Sequence, residues 1–441
     1  MTREWSRTCR AAVIRALVLI GLVVRPVEAQ WTQWGGPNRN FMVETSGLAN
    51  EWPDDGPAKL WSRELGEGYS AIIVDDGILY TMYRKRPSDE AEYSIALDAR
   101  SGRTIWEHKN ASPFTPRMAQ YGPGPHSTPL IVGKRLFTIG TNAVMHCLDK
   151  KTGDVLWRRD LPGEFDVHVP LYGYGCSPIA YKKTVIVVAD RARKPDRGGY
   201  YGVSGEGPSE EKSYRQSIMA FDQKTGQVAW ENLDIPVDYS SPILINFRGE
   251  PQMVFFMRKE VVGVDPDDGN LLWSSPFTQI PDENIATPIW NGSDMLFVSA
   301  AYSGGGRAIK LVKEDDRTVA KELWYSRKLR ILQGNAILID DYIYGSTGDF
   351  GQTLFVCMNI RTGEIPWRRR DFRRATCVYG DGKFIILDEY GQLALATATP
   401  EGLTVHSKCD LPGERFWTIP TLADRTLYVR DRKNIVALEL G

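Results

Sequence analysis

Cysteine and histidine are scarce in this chain, which has six cysteines and five histidines among 441 residues. The cysteines are widely spaced and form no CxxC pair, so the sequence predicts neither a disulfide framework nor a thiolate zinc site. The histidines form no pair at the spacing of metal ligands, and no metal site is predicted. No G-x-S-x-G, Walker A or Rossmann glycine motif appears in a supporting context. The net charge of −1 gives no basic excess that would attract a nucleic acid.

What the chain has instead is one pattern repeated along its length. An Asp or Asn is followed eight residues later by a Trp in LDARSGRTIW (Asp98, Trp106), LDKKTGDVLW (Asp149, Trp157), FDQKTGQVAW (Asp222, Trp230), VDPDDGNLLW (Asp265, Trp273) and MNIRTGEIPW (Asn359, Trp367). A longer-turn copy ends at Trp324, and residues 396–411 form a copy without the Trp. A period of roughly 40 to 50 residues indicates one structural unit that stacks on its neighbours.

Each copy is predicted to be a β-hairpin. The Asp side chain accepts hydrogen bonds from the turn, and the Gly of the motif takes the positive φ that closes it. The Trp is the large apolar group best placed to pack against the adjacent repeat, which predicts a structural role for these residues.

Two further apolar runs precede each hairpin, which makes four strands per repeat and predicts the blades of a β-propeller. Five clear and two degenerate copies give seven blades. The eighth is divided between the ends, because residues 434–440 lack a partner strand and residues 56–65, with Trp61, lack a preceding blade. Pairing them closes the ring and leaves no sheet edge at the seam. We therefore predict an all-β, eight-bladed propeller of four-stranded antiparallel blades, with seven blades as the alternative.

Residues 1–29 have the pattern of a secretory signal peptide. Three arginines precede an apolar core, and Val27, Glu28 and Ala29 form a small-x-small cleavage site. A single membrane anchor is the alternative, although the run is shorter than the roughly 20 residues that span a bilayer. The predicted organisation is a signal peptide (1–29), an N-terminal segment (30–55) and a propeller (56–441). We expect a periplasmic or secreted protein without a membrane span after cleavage.

Polar and aromatic residues recur where the first strand of each blade begins. First strands line the axis of a propeller, so the sequence predicts a ligand site at the channel mouth. Its candidate residues are Tyr69, His126, Tyr174, Tyr239, Asn335 and Trp417. Two loops carrying Tyr121, Tyr172 and Tyr174 are expected to overhang this mouth. The alternative is that small polar side chains only satisfy strand ends near a wet axis.

The repeat, the closure by an N-terminal strand and the opening WTQWGGPNRNF (31–41) resemble secreted bacterial propellers with pyrroloquinoline-quinone (PQQ)-like repeats. Their relatives are the quinoprotein alcohol dehydrogenases and BamB, the propeller of outer-membrane protein assembly. The resemblance implies a channel that, in the dehydrogenases, holds the quinone between a tryptophan floor and a disulfide of adjacent cysteines, with calcium beside it.

This sequence has no adjacent cysteines and no matching calcium ligands or catalytic Asp. We therefore expect a non-catalytic propeller without a cofactor, whose partner is a protein or an extracytoplasmic polymer. A dehydrogenase that uses PQQ with calcium at a divergent site is the alternative. Fold likeness alone does not decide between the two.

Overall fold

A computed structural model describes residues 30–113, 122–191, 216–279, 283–349 and 353–441. The predicted signal peptide (1–29) and Tyr121 lie outside these ranges. Within them the chain begins with β1 (Ala58–Glu64) and continues as blade 1, formed by β2 (Ile73–Asp75), β3 (Ile78–Tyr83), β4 (Ala91–Asp98) and β5 (Thr104–Ala111). Blade 2 comprises β6 (Leu130–Val132), β7 (Arg135–Ile139), β8 (Val144–Asp149) and β9 (Val155–Asp160), and is followed by the short helix α1 (Leu161–Phe165).

The next three blades follow in chain order. Blade 3 comprises β10 (Ile179–Tyr181), β11 (Thr184–Val188), β12 (Ile218–Asp222) and β13 (Val228–Asn232). Blade 4 comprises β14 (Ile243–Phe247), β15 (Glu250–Phe256), β16 (Glu260–Val264) and β17 (Leu271–Pro276). Blade 5 comprises β18 (Ile289–Trp290), β19 (Met295–Ala300), β20 (Gly305–Glu314) and β21 (Arg317–Ser326).

The last three blades complete the ring. Blade 6 comprises β22 (Ala336–Ile339), β23 (Tyr342–Thr347), β24 (Leu354–Asn359) and β25 (Trp367–Arg369). Blade 7 comprises β26 (Thr376–Gly380), β27 (Lys383–Leu387), β28 (Gln392–Thr399) and β29 (Gly402–Asp410). Blade 8 comprises β30 (Thr421–Ala423), β31 (Thr426–Arg430), β32 (Asn434–Glu439) and β1. Eight four-stranded antiparallel sheets confirm the predicted eight-bladed propeller.

The seam between the chain ends lies in blade 8. β1 pairs antiparallel with β32, with Trp61 opposite Ala437 and Glu64 opposite Asn434. Buried Arg430 strengthens the contact with blade 1, because its guanidinium donates to the carbonyls of Ser70 (2.8 Å) and Met82 (2.7 Å). The N-terminal strand therefore completes the last sheet as its outermost strand and covers the edge of β32.

Neighbouring blades are joined at the periphery by the repeated Trp. The indole of Trp157 in blade 2 donates to the carbonyl of Gln223 in blade 3 (3.1 Å), and its ring covers Gly226. A Cβ on Gly226 would lie 2.7 Å from this ring, and the φ of +68° is one that glycine adopts without strain. The same indole-to-carbonyl bond is made by Trp61 to Ala99, Trp106 to Lys150, Trp324 to Ile360 and Trp367 to Thr399. Trp230 retains the ring contact, with Gly269.

Inside each hairpin the repeated Asp or Asn organises the turn. Asp222 Oδ1 accepts from the backbone N–H groups of Lys224 (3.0 Å) and Thr225 (2.9 Å). Asp98, Asp149, Asp265 and Asn359 make equivalent bonds within their own turns. Trp273 differs, because its indole donates to Gln252 of its own blade, and Gln252 in turn donates to Thr318 of blade 5. The longer blade 5 turn lacks the glycine that is covered, in the following blade, by Trp61, Trp106, Trp157, Trp230 and Trp324.

The segment 30–57 packs across one end of the ring. Trp31 exchanges two backbone hydrogen bonds with Val74 in blade 1, and Val43 and Phe41 bond to Tyr379 in blade 7. Buried Arg39 enters the channel from this side and donates to the carbonyls of Pro178 and Pro242. Because these partners lie along or near the ends of first strands, the segment closes that end of the channel. In the described part of the chain, no helix is long and apolar enough to cross a membrane.

Candidate ligand-binding site

A cavity of about 180 Å³ lies on the axis where the first strands begin. Trp34 of the N-terminal segment forms its floor, held by a hydrogen bond from the indole to Thr287 Oγ1 (2.9 Å) and by an edge-on contact with Phe41. We call this cavity the axial cup. It is lined by Trp34, Tyr69, Gly122, His126, Tyr172, Gly175, Ser177, Tyr239, Ser241, Glu283, Ile285, Tyr302, Leu332, Gln333, Trp417, Thr418 and Ile419.

One wall of the axial cup is a row of three rings from blades 2, 1 and 8. His126 stacks on Tyr69 with ring centroids 6.0 Å apart, and Trp417 lies 5.4 Å from Tyr69 on the other side. The guanidinium groups of Arg374 and Arg415 lie 5.8 and 4.9 Å from the Trp417 ring. Each of the three ring residues lies four residues before a first strand (β2, β6 and β30), which is why distant sequence positions meet here.

The opposite wall carries the carboxyl group of Glu283, which precedes blade 5. In a ring of eight blades, blade 5 faces blade 1. The hydroxyl of Tyr302 donates a hydrogen bond to Glu283. Tyr239 lies between the two walls, where its hydroxyl accepts from the backbone N–H of Tyr172 (3.2 Å). The axial cup therefore has rings on most sides and one acidic group.

Burial sets the ionisation of these groups. Loss of hydration raises the pKa of Tyr69 to about 12, despite the nearby Arg432 and Arg415, and lowers the pKa of His126 to about 4. Both are therefore neutral at pH 7. Burial also raises the pKa of Glu283, which the hydrogen bond from Tyr302 partly offsets.

Four of the six predicted ligand residues line the axial cup: Tyr69, His126, Tyr239 and Trp417. The other two point elsewhere. Tyr174 is buried, and its hydroxyl donates to the carbonyl of Val188 (3.1 Å). The amide of Asn335 is used by blade 7, because it donates to the carbonyl of Cys377 (2.7 Å) and accepts from its N–H (2.9 Å). Whether any of the six contacts a ligand stays a prediction.

Small polar residues beside the axis tie neighbouring first strands together. Ser241 accepts from the N–H of Ser177 (2.9 Å), whose own hydroxyl accepts from the N–H of Thr128 (3.0 Å). Thr128 accepts from the N–H of Ala71 (3.1 Å), which extends the series to blade 1. These hydroxyls satisfy backbone groups that the inner strands leave unpaired, as the alternative interpretation of the pattern expected.

Sequence reasoning missed Trp34, Glu283 and Tyr302. Trp34 belongs to the N-terminal segment, which repeats nothing in the blades. Glu283 lies two residues before the position that the aligned polar pattern occupies in its blade. The conspicuous WTQWGG opening was the available signal for Trp34, since it is aromatic and lies outside every repeat.

The described residues fit a quinone with calcium poorly. They contain no group of three His, Cys, Asp or Glu side chains that could hold a metal ion. Their five cysteines are free and none is adjacent to another. The axial cup is also smaller than the roughly 300 to 1,000 Å³ of typical cofactor pockets. No arginine or lysine among the described lining residues neutralises an acidic cofactor.

Comparison with known proteins places the chain in a family. Residues 91–369, more than half of the chain, match the family model described as outer membrane protein assembly factor BamB, a PQQ-type model. The chain belongs to this family. A BamB from Burkholderia pseudomallei is 21% identical over 326 residues, which cover 68% of this chain and 81% of that protein.

Dehydrogenases with the same fold are also similar to this BamB-family chain. A 1-butanol dehydrogenase (quinone) from Thauera butanivorans is 32% identical over 204 residues, which are 43% of this chain and 26% of the dehydrogenase. The match thus spans about a quarter of that enzyme. The quinohemoprotein alcohol dehydrogenase from Comamonas testosteroni superposes with a TM-score of 0.61 at 13% identity, covering 94% of this chain and 81% of that one. At this identity the likeness shows the fold alone.

Proposed function

We propose that this chain is a non-catalytic, extracytoplasmic binding propeller that holds its ligand in the axial cup. The observation that carries the proposal is an aromatic pocket, closed on one side by Trp34, whose described lining has a single acidic group and no cluster of metal ligands. Concave apolar pockets with a few fixed polar groups are the usual form of a small-ligand site.

The outer rim supports a second contact, with a protein or an extracytoplasmic polymer. Exposed apolar residues recur within two positions of the repeated tryptophans of the outermost strands, where Leu60 is 49% and Leu271 52% exposed. Further members of this set are Ile105, Leu156, Val228 and Leu323. Exposed apolar groups of this kind favour association, and the name of the BamB relative refers to protein assembly.

The signal-like residues 1–29 support export to the periplasm or the medium. The measurement is the mass of the mature protein from its native host. We expect a chain beginning at Gln30, and an intact Met1 would contradict the proposal.

A quinoprotein dehydrogenase is the second candidate function. The 32% identity to the butanol dehydrogenase favours it, although the shared region is short. The donor set and the size of the axial cup weigh against it, and no residue of this chain takes a catalytic role in our proposal.

A reconstitution experiment separates the two candidates. The purified mature protein is incubated with PQQ and Ca²⁺, desalted, and assayed for retained quinone absorbance and for dye-linked oxidation of alcohols and sugars. The proposal predicts background values in both assays. Stoichiometric quinone and turnover that a Trp34→Ala substitution abolishes would establish the dehydrogenase instead.

A further inference from the structure

We propose that the axial cup recognises an organic ammonium ion, through the carboxylate of Glu283 and the rings of Trp34, Tyr239 and Tyr302. This inference rests on the proposed function as a ligand-binding propeller and names the chemical class of its ligand. It follows from where charge and aromatic surface lie within the axial cup.

Glu283 is the only charged side chain among the described lining residues. It is 7% exposed, so most of its hydration has been removed. Tyr302 donates one hydrogen bond to it, and no lysine or arginine in the described ranges forms an ion pair with it. A buried carboxylate without a counter-ion is costly, and a ligand cation would remove that cost.

The backbone beside Glu283 is held in place by its neighbour Asn284. The Asn284 N–H donates to Asp238 Oδ2 (2.7 Å), and its side-chain amide donates to the carbonyl of Met257 (2.7 Å). Asp238 also accepts from the N–H of Tyr239 and lies behind the wall. Burial raises the pKa of Asp238 to about 8.

Aromatic side chains line the same cavity as the acidic group. Trp34 is anchored to Thr287 of blade 5, the same blade that Glu283 precedes, and Tyr239 comes from blade 4. The faces of Trp and Tyr rings attract cations, and a carboxylate with several rings is the arrangement that binds methylated ammonium groups. A volume of about 180 Å³ suits a small head group.

Positive charge lies on the far side of the axial cup, around Trp417. There Arg374 is paired with Glu389 (3.4 Å), whereas Arg415 lies over the Trp417 ring without an ion pair in the described part of the chain. Arg432, near Tyr69, is paired with Glu67. None of them lines the cavity. The charge arrangement therefore favours a cation beside Glu283 and opposes an acidic quinone in the same position.

The test is isothermal titration of the mature protein with choline and with 3,3-dimethylbutan-1-ol, which has the same shape but no charge. We expect choline to bind at least tenfold more tightly than the alcohol. Equal affinity for the two compounds, or no detectable binding of choline, would overturn the inference. This comparison needs no substitution and remains decisive even if a variant fails to fold.

Variants then locate the cation. Glu283→Gln should weaken choline binding at least tenfold and leave binding of the alcohol unchanged. Glu314→Gln is the matched control, because it removes a charge from the exposed β20–β21 hairpin and should change neither. Undiminished choline binding by a folded Glu283→Gln protein would contradict the assignment.

Different experimental results would overturn the ammonium inference and the proposed function. A neutral sugar that binds in the axial cup in preference to choline would overturn the ammonium inference and leave the binding propeller intact. Turnover with PQQ and Ca²⁺ would overturn both.

Discussion

The periphery and the axis of this propeller are built in opposite ways. At the periphery, consecutive blades repeat one contact, in which a Trp indole donates to a backbone carbonyl of the next blade and covers its turn glycine. At the axis, the lining side chains vary between blades: Tyr69 and Tyr239 carry phenols, His126 an imidazole and Glu283 a carboxyl group. The residues that repeat are those that hold the ring together. The residues that vary from blade to blade form the surface that is available for recognition.

Opening the ring should have the largest effect on stability, because the contacts between blades at the periphery are continuous only when β1 pairs with β32. Deleting residues 56–65 removes that strand and exposes the outer edge of β32 in blade 8. We expect loss of the single cooperative transition in thermal unfolding, or aggregation. A truncated protein with unchanged melting behaviour would contradict the role of the seam.

Replacing one peripheral Trp should lower the free energy of unfolding less than opening the ring does. It should lower it more than replacing an axial Trp. Trp157 is 8% exposed and fills the contact between blades 2 and 3. For Trp157→Ala we expect a loss of about 3 to 5 kcal/mol in the free energy of unfolding, measured by denaturant titration. Trp417→Ala, at the partly open axial cup, serves as the control and should cost less than about 2 kcal/mol. Similar losses of stability for the two variants would show that the periphery contributes no more to stability than the axis does.

A pair of glycine substitutions tests the contact between a peripheral Trp and the turn of the next blade. Gly226 and Gly382 have φ values of +68° and +71°, but only Gly226 has a Trp ring where its Cβ would lie. Gly382→Ala should therefore cost only the backbone strain, about 1 to 2 kcal/mol. Gly226→Ala should cost about 1 to 3 kcal/mol more, because the ring must move. In a Trp157→Ala background this excess should disappear. An equal cost of both substitutions in the parent protein would argue against the contact.

The smallest expected effect is in the pH dependence of stability. His146 is buried between blades 1 and 2 beside His108, and burial lowers its pKa to about 4. The unfolded chain takes up this proton near pH 6.5, whereas the folded protein does so only near pH 4, so stability present at neutral pH is lost as the pH falls through that window. His146→Gln should flatten this loss by at most about 1.4 kcal/mol per pH unit. If the profiles of melting temperature against pH run parallel for the parent protein and the His146→Gln variant, the role of His146 is contradicted.

The repeat alone predicted the fold. The Asp-to-Trp spacing identified the hairpins, and the unmatched half-hairpins at the two ends predicted the pairing of β1 with β32. The repeat predicts the fold because each blade packs against the next one through the same residue types at the same positions. It did not anticipate that Trp273 bonds to Gln252 of its own blade, which depends on the turn of the following blade.

The site was less predictable, because side-chain direction at the axis depends on contacts between blades. Tyr239 and Asn335 both lie just before first strands, yet Tyr239 faces the axial cup and the Asn335 amide is used by Cys377. Trp34 reaches the axis only because the N-terminal segment docks across several blades, with Arg39 inside the channel. Such long-range docking leaves no periodic signal in the sequence.

The most direct test of the axial account is a crystal structure of the mature protein soaked with choline. The account predicts density for the ligand in the axial cup, with its ammonium group against Glu283 and the rings of Trp34 and Tyr239. Soaking the Glu283→Gln crystal in the same solution should leave this position without the ligand. Choline bound at the outer rim, or identical density in both crystals, would contradict the claim that the axis is where this propeller recognises its ligand.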